Sequence, residues 1–191
     1  MSPSQKHFNV AFIGAIVTEM KTSIYIAASL DGFIATRDHG LSWLDIVKSE
    51  GEDYGYADFM SSVDCLLIGR NTYETVRGFR AWPYEGKKVL VLTHRPFAPI
   101  RDEIQASGAL KPILQKLAES GIQRVYLDGG ATARQGLTEG VVTDLTVSII
   151  PILLGGGVPL FGEVGVESLL RNLGAKSFSS GLVQVSYEIK K

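Results

Sequence analysis

The sequence predicts an α/β fold: a mainly parallel sheet covered by helices, with antiparallel strands at one edge. Three observations predict it. Segments 22–29, 64–68, 87–93, 124–128, 143–150 and 182–189 are continuously apolar and β-branched, the pattern of strands buried on both faces. Helical segments 53–62, 71–78, 111–120 and 131–138 each fall between two of those strands. After residue 143 the alternation stops, and a strand, the Gly155-Gly156-Gly157 loop and further strand-like segments follow without a helix.

With 191 residues the chain is long enough for one domain with a substantial core, expected over 21–191. A formal net charge of −1, with basic residues scattered and not interleaved with aromatics, gives no electrostatic case for a nucleic-acid or membrane partner. A small-molecule substrate and a cytoplasmic location are expected. The single cysteine, Cys65, excludes an internal disulfide and a multi-cysteine metal site. It lies in the apolar run Val63–Ile68 and reads as a buried, inert thiol. His7, His39 and His94 lack ligand spacing, so no metal is expected. Residues 8–17 are apolar but too short to span a bilayer, and no small-residue cleavage signal follows. Residues 1–20 are read as an extension to the domain, with residues 1–19 an over-extended reading frame and Met20 the natural start. The rival reading is an extra strand packed on the core.

Taken in order, the first strand, Ser23 to Ser29, leaves through an Asp31-Gly32 turn. In the helix that follows, Tyr56, Phe59, Met60 and Val63 at i, i+3, i+4, i+7 define the buried face, and Asp58 points outward with Ser61 and Ser62. Asp53, three residues before Tyr56, falls on the buried side. It is the candidate to deliver a proton, since a sheltered carboxyl can keep one. The plainer alternative is that Asp53 caps the helix. The next strand exits through Gly69-Arg70-Asn71-Thr72, where Asn71 and Thr72 can cap a helix, Gly69 permits close backbone approach, and Arg70 suits bidentate phosphate recognition. Read blandly, this is a glycine turn with a surface arginine. Thr93, His94 and Arg95 follow the fourth strand immediately and form a plausible pocket for a ribose 2′-phosphate, or an ordinary polar loop. Gly121 is placed to end the third helix. Gly129-Gly130-Ala131-Thr132 then joins a buried strand to a helix, offering bare backbone to a pyrophosphate at the positive helix end, with Thr132 as a cap. One glycine would suffice for a tight turn. The three-glycine Rossmann fingerprint with its acidic ribose ligand is absent.

Ser29-Leu30-Asp31-Gly32-x-Ile34-Ala35, Gly69-Arg70-x-Thr72-Tyr73-Glu74, Gly129-Gly130 and Pro151-x-x-x-Gly155-x-Gly157-x-x-Leu160-Phe161 occur in one order. This ordered set resembles the dihydrofolate-reductase-like family that includes the reductase domain of the bifunctional riboflavin-synthesis deaminase–reductase, over about residues 21–189. The resemblance implies a sheet of about eight strands with a C-terminal antiparallel hairpin, a homodimer, and NADPH bound across the strand exits. It implies that Ala27 and Ile34 flank the nicotinamide, that Gly69, Arg70 and Thr72 hold the pyrophosphate and adenosine side, that Thr93, His94 and Arg95 meet the 2′-phosphate, and that Gly129, Gly130, Ala131 and Thr132 meet the pyrophosphate. The chain departs from a riboflavin-pathway reductase at Phe33, where a lysine is expected, and Leu41–Asp45 shows none of the polar and basic residues expected to grip a ribose phosphate. Asp31 and Trp43 remain as substrate-pocket candidates, against a turn residue and a core aromatic.

The function expected is an NADPH-dependent reductase of a small heterocyclic or carbonyl/imine substrate, akin to a dihydrofolate reductase or to the 5-amino-6-(5-phosphoribosylamino)uracil reductase of riboflavin biosynthesis. The alternatives are a non-catalytic NADPH-binding module or sensor, and a flavin-binding protein.

Overall fold

The computed structural model describes residues 19–190; the reading of residues 1–18 lies outside them. The chain runs β1 (Lys21–Ser29), β2 (Phe33–Ala35), a 3-10 helix (Ser42–Val47), α1 (Tyr56–Ser61), β3 (Cys65–Gly69), α2 (Arg70–Val76), β4 (Lys88–Leu92), β5 (Ile104–Ala106), α3 (Leu110–Glu119), β6 (Arg124–Asp128), α4 (Gly130–Thr138), β7 (Asp144–Ile150), β8 (Val158–Pro159), β9 (Leu170–Ser177) and β10 (Val183–Ile189). An eight-stranded sheet has the order β5-β4-β3-β6-β1-β7-β10-β9. Every pairing from β5 to β7 is parallel, whereas β10 pairs antiparallel with both β7 and β9. The expected parallel body and antiparallel edge are both present. A two-stranded antiparallel sheet, β2 with β8, ties the loop after β1 to the loop after β7.

Side chains alternate across the buried strands and build a core on each face. On one, Ile24, Leu67 and Leu127 meet Leu110, Leu114 and Leu117 of α3 and Ala133 and Leu137 of α4. On the other, Leu66, Ile68 and Tyr126 pack with Tyr73 and Val76 of α2 and with Tyr56, Phe59 and Met60 of α1. Full burial of such a side chain contributes about 1.5–3 kcal/mol. Cys65 is fully buried at the base of β3, and desolvation pushes its thiol up to about 12, as an inert thiol requires. The two helical layers are linked end to end: Glu139, closing α4, accepts hydrogen bonds from Leu110 N at 2.8 Å and Lys111 N at 3.1 Å, and so caps α3.

Helix ends follow their caps more than their hydrophobic spacing. The first helix starts at Tyr56 and not at 53, because Asp53 accepts from the amides of Gly55 (2.9 Å) and Ala57 (2.8 Å) and caps it from outside. Its carboxyl is solvent-exposed, not sheltered. In α2 the N-cap is Gly69, with no side-chain cap, so Asn71 and Thr72 lie inside the helix. Gly121 ends α3 as expected, at φ +89 with its amide donating to Ala118 O at 2.9 Å.

Candidate active site

The C-terminal ends of β1, β3 and β6 and the starts of α2 and α4 converge on a cavity of about 740 Å³. Of the residues singled out in the sequence, Ala27, Ile34, Gly69, Arg70, Thr72, Gly129, Gly130, Ala131 and Thr132 all line it. Parallel strands place their exits on one edge of the sheet, which brings together segments as far apart in sequence as Ala27 and Thr132.

The junction of β6 and α4 is the most constrained part. Gly129 is the N-cap of α4 at φ +89, and a Cβ there would overlap the Thr72 hydroxyl, so glycine is required on both counts. At Gly130 a Cβ would meet Ile34 Cδ1 at 2.7 Å and the Arg134 guanidinium at 2.8 Å. The second glycine therefore admits neighbouring side chains that themselves line the cavity. Thr132 does not cap α4. Its side chain is 1 % exposed, and its Oγ1 has no hydrogen-bond partner among the described residues. A buried hydroxyl beside a cavity and without a partner is a costly arrangement that a ligand would relieve. Two guanidinium groups, Arg70 and Arg134, line the same space.

Arg70 lies between Glu74 (2.7 Å) and the carbonyl of Pro96 (3.3 Å), with its guanidinium 5.5 Å from the Phe97 ring centre. It thus joins the α2 start to the loop after β4, where Thr93 is buried and exchanges hydrogen bonds with Arg95 of its own turn. His94 and Arg95 are exposed. Thr93, His94 and Arg95 stand beside the Arg70 corner and outside the cavity lining.

Two pocket candidates are corrected. Asp31 is a turn residue: its carboxylate accepts from Ser29 Oγ (2.6 Å), Leu154 N (3.1 Å) and Gly155 N (2.7 Å), pinning the glycine-rich loop. The Ser29 hydroxyl, followed by these amides, holds it below the usual carboxylate range. Trp43 is buried in a cluster with Val47, Ile150 and Leu182, and closes the core. Asp53 lines a second chamber of about 360 Å³, which shares Tyr25, Ala27, Leu44 and Tyr56 with the first. The Ala57 and Gly55 amides keep its carboxylate ionised, with a lowered pKa, so Asp53 is a cap at the chamber rim and a poor proton donor.

The sequence reading passed over the cavity's acid. Asp128, last residue of β6, lines the cavity; its Oδ2 accepts from Tyr84 Oη at 2.5 Å. Tyr126 and Tyr56 close around it, and the Tyr126 hydroxyl donates a hydrogen bond to the Tyr25 carbonyl at 2.7 Å. Desolvation raises the carboxyl above its ordinary value, although the Tyr84 and Tyr126 hydroxyls and the Gly129 amide oppose this. A polar residue ending an otherwise apolar strand was the available signal.

Fold and site together define an α/β protein of the dihydrofolate-reductase-like class. Within that class the chain belongs to the RibD C-terminal domain family, whose model matches residues 21–184. It is 35 % identical over 172 residues to the uncharacterized Bacillus subtilis (strain 168) protein YwjB, covering 88 % of this chain and 98 % of YwjB. A crystal structure of a candidate riboflavin biosynthesis protein from Shewanella sp. PV-4 matches with a TM-score of 0.84 and 34 % identity, over 90 % of this chain and all of that one. Acinetobacter baumannii RibD shares the fold at a TM-score of 0.67 and 17 % identity, over 91 % of this chain and 58 % of that one.

Proposed function

We propose that the protein is an NADPH-dependent reductase of a small planar heterocycle that carries no phosphate. The observation that carries the cofactor reading is the buried Thr132 hydroxyl, which has no partner among the described residues and lies in the first turn of α4, after Gly129-Gly130. A phosphate oxygen supplies what that hydroxyl and the free amides at the helix start lack. Arg70 and Arg134 balance the charge, and the loop of Thr93, His94 and Arg95 beside Arg70 takes the 2′-phosphate. Ala27 and Ile34 give the nicotinamide an apolar seat that excludes water. The reduced nicotinamide supplies a hydride when bound.

The second chamber supports the substrate reading. Tyr25, Tyr54 and Tyr56, with Leu44 and Ile150, give it an aromatic and apolar lining, and Ser148 adds a hydroxyl. The Tyr25 hydroxyl donates to Tyr54 O at 2.6 Å, and the Gln184 amide donates to Tyr25 Oη at 2.8 Å, which fixes the ring orientation. At its rim Asp45, Glu52 and Asp53 face a single cation among the described residues, Lys48, itself paired with Asp45 at 3.9 Å. A phosphorylated substrate would meet net repulsion there.

Calorimetric titration with NADPH and NADH tests the cofactor reading. NADPH is expected to bind about ten- to a hundredfold more tightly, the worth of a charge-assisted contact to the extra phosphate. Equal affinities, or no binding of either, would overturn it.

A further inference from the structure

We propose that the second chamber binds an organic cation: a planar aromatic or heteroaromatic molecule with a hydrogen-bond acceptor at its inner end and a protonated amine or quaternary ammonium group at the rim. The inference rests on reading that chamber as the substrate site of the reductase, and it names the substrate's charge and polarity.

The inner end is set by Ser148. In the sheet it stands between its register partners Ala27 of β1 and Gln184 of β10, so its side chain shares their face. It is 5 % exposed. One atom of the Gln184 side chain meets Tyr25 Oη (2.8 Å), Tyr54 O (3.0 Å) and Ser148 Oγ (3.0 Å). A carbonyl only accepts, so that atom is the amide nitrogen, and toward it Ser148 Oγ can only accept. The Ser148 hydroxyl proton therefore has no acceptor among the described residues, and it is available to a molecule in the chamber. The Tyr25 hydroxyl is not available, because it donates to Tyr54 O at 2.6 Å. A ligand seated there satisfies the floor by bringing an oxygen or nitrogen lone pair to Ser148.

The rim selects the charge of the outer end. Lys48 pairs with Asp45, which leaves Glu52 and Asp53 without a cation among the described residues. Backbone amides hold both, Glu52 through Tyr54 N at 2.8 Å and Asp53 through Gly55 N at 2.9 Å, so their charges are oriented before any ligand arrives. Their field reaches the interior: burial pushes the Tyr25 phenol up, the Gln184 bond opposes this, and the Asp53 and Glu52 charges push it further. A potential that disfavours a phenolate favours an ammonium in the same place. Tyr25, Tyr54 and Tyr56 add the aromatic surface on which organic cations dock. Exposed carboxylates alone would simply be solvated. Here they border an aromatic chamber of about 360 Å³ with an unspent donor at its floor.

The test is calorimetric titration of the full chain at neutral pH, with and without NADPH, using probes of one shape. These are 6-(aminomethyl)quinoline, its counterparts 6-(hydroxymethyl)quinoline and quinoline-6-carboxylate, and 2-(aminomethyl)naphthalene, which lacks the ring nitrogen. The quinoline ammonium should bind about five- to thirtyfold more tightly than the alcohol, and the carboxylate more weakly than either. Asp45→Asn combined with Glu52→Gln should erase most of that preference while the alcohol binds as before. So should about 0.5 M sodium chloride on the wild type, which screens exposed charge without a mutation. Ser148→Ala should weaken the quinoline ammonium about three- to tenfold and leave the naphthalene ammonium unchanged. Equal affinity for ammonium and alcohol in the wild type, or a preference that survives both the double variant and salt, overturns the proposal. Equal effects of Ser148→Ala on quinoline and naphthalene, or no binding of any probe, overturn it too. A cation preference in a protein that does not bind NADPH defeats the reductase reading and leaves the chamber's specificity standing, whereas NADPH binding without that preference does the reverse.

Discussion

Replacing Thr132 with valine should make the protein more stable and the cofactor weaker, two effects of opposite sign from one atom. The side chain is 1 % exposed and its hydroxyl has no partner among the described residues, so the folded protein carries the desolvation cost of an unmade hydrogen bond, about 1–3 kcal/mol. Valine has the same branched shape and similar helix propensity, so packing and the α4 backbone lose nothing. A net gain of about 1 kcal/mol raises the Tm of a domain this size by roughly 2–4 °C. If the hydroxyl meets a phosphate oxygen in the complex, its loss costs about 1.5–3 kcal/mol of binding, or roughly ten- to a hundredfold in Kd. Thermal denaturation of the protein without cofactor, and calorimetric titration with NADPH, measure the two effects separately. A lower Tm would mean that the hydroxyl is satisfied in solution. A raised Tm with unchanged NADPH affinity would remove Thr132 from the cofactor site.

Three further expectations follow from particular contacts. Glu139→Ala strips the cap from α3 and leaves the buried Leu110 amide unpaired, which should cost about 1–2 kcal/mol and lower Tm by several degrees. Partial burial opposes ionisation of Glu139, but the Gln135 side chain and the Leu110 and Lys111 amides outweigh it and lower its pKa; the stability is thus present above the unfolded value and lost as pH falls through the folded one. The Tm gap between wild type and variant should therefore close in acid, and a gap that persists there refutes the charge-assisted cap. Arg95→Ala should weaken NADPH about ten- to a hundredfold and leave NADH nearly unchanged by titration, whereas equal losses would assign Arg95 to the fold or the pyrophosphate. Asp45→Lys reverses one rim charge at an exposed site whose only ion-pair partner among the described residues is the exposed Lys48, so it should add affinity for uridine 5′-monophosphate in equilibrium dialysis without changing Tm. Unchanged affinity would show that the rim carboxylates do not select against phosphate.

The sheet and its buried helices were legible because burial on both faces writes a local pattern. β1, β3, β4, β6, β7 and β10 each appear as a continuous apolar run, and α3 is amphipathic with a glycine at its end. β9 was missed for the converse reason: all eight of its residues are exposed on the sheet edge, so Leu170-Arg171-Asn172-Leu173-Gly174 carries no burial pattern. The β2–β8 pair joins segments of three and two residues, too short for any periodicity to register. Nine of the twelve cofactor candidates reached the cavity wall because parallel strands deliver their exits to one edge, a consequence of topology that the alternating pattern already implies. The carboxyl in the wall of the larger cavity is Asp128 and not Asp53, for a different physical reason. Helical spacing put Asp53 on a buried face, yet the helix begins three residues later and Asp53 faces water as its cap. Whether a carboxyl keeps its proton depends on what surrounds it, and around Asp128 those groups come from Tyr84, 44 residues away, and from a Tyr126 hydroxyl committed to a carbonyl 101 residues away. Likewise, nothing local distinguishes the Thr132 hydroxyl from one that caps a helix. Local sequence determined which segments become strands and helices, since backbone pairing and burial act along the segment itself. Only the tertiary structure decided which polar atoms are satisfied, because their partners are set by distances in space that sequence separation does not encode.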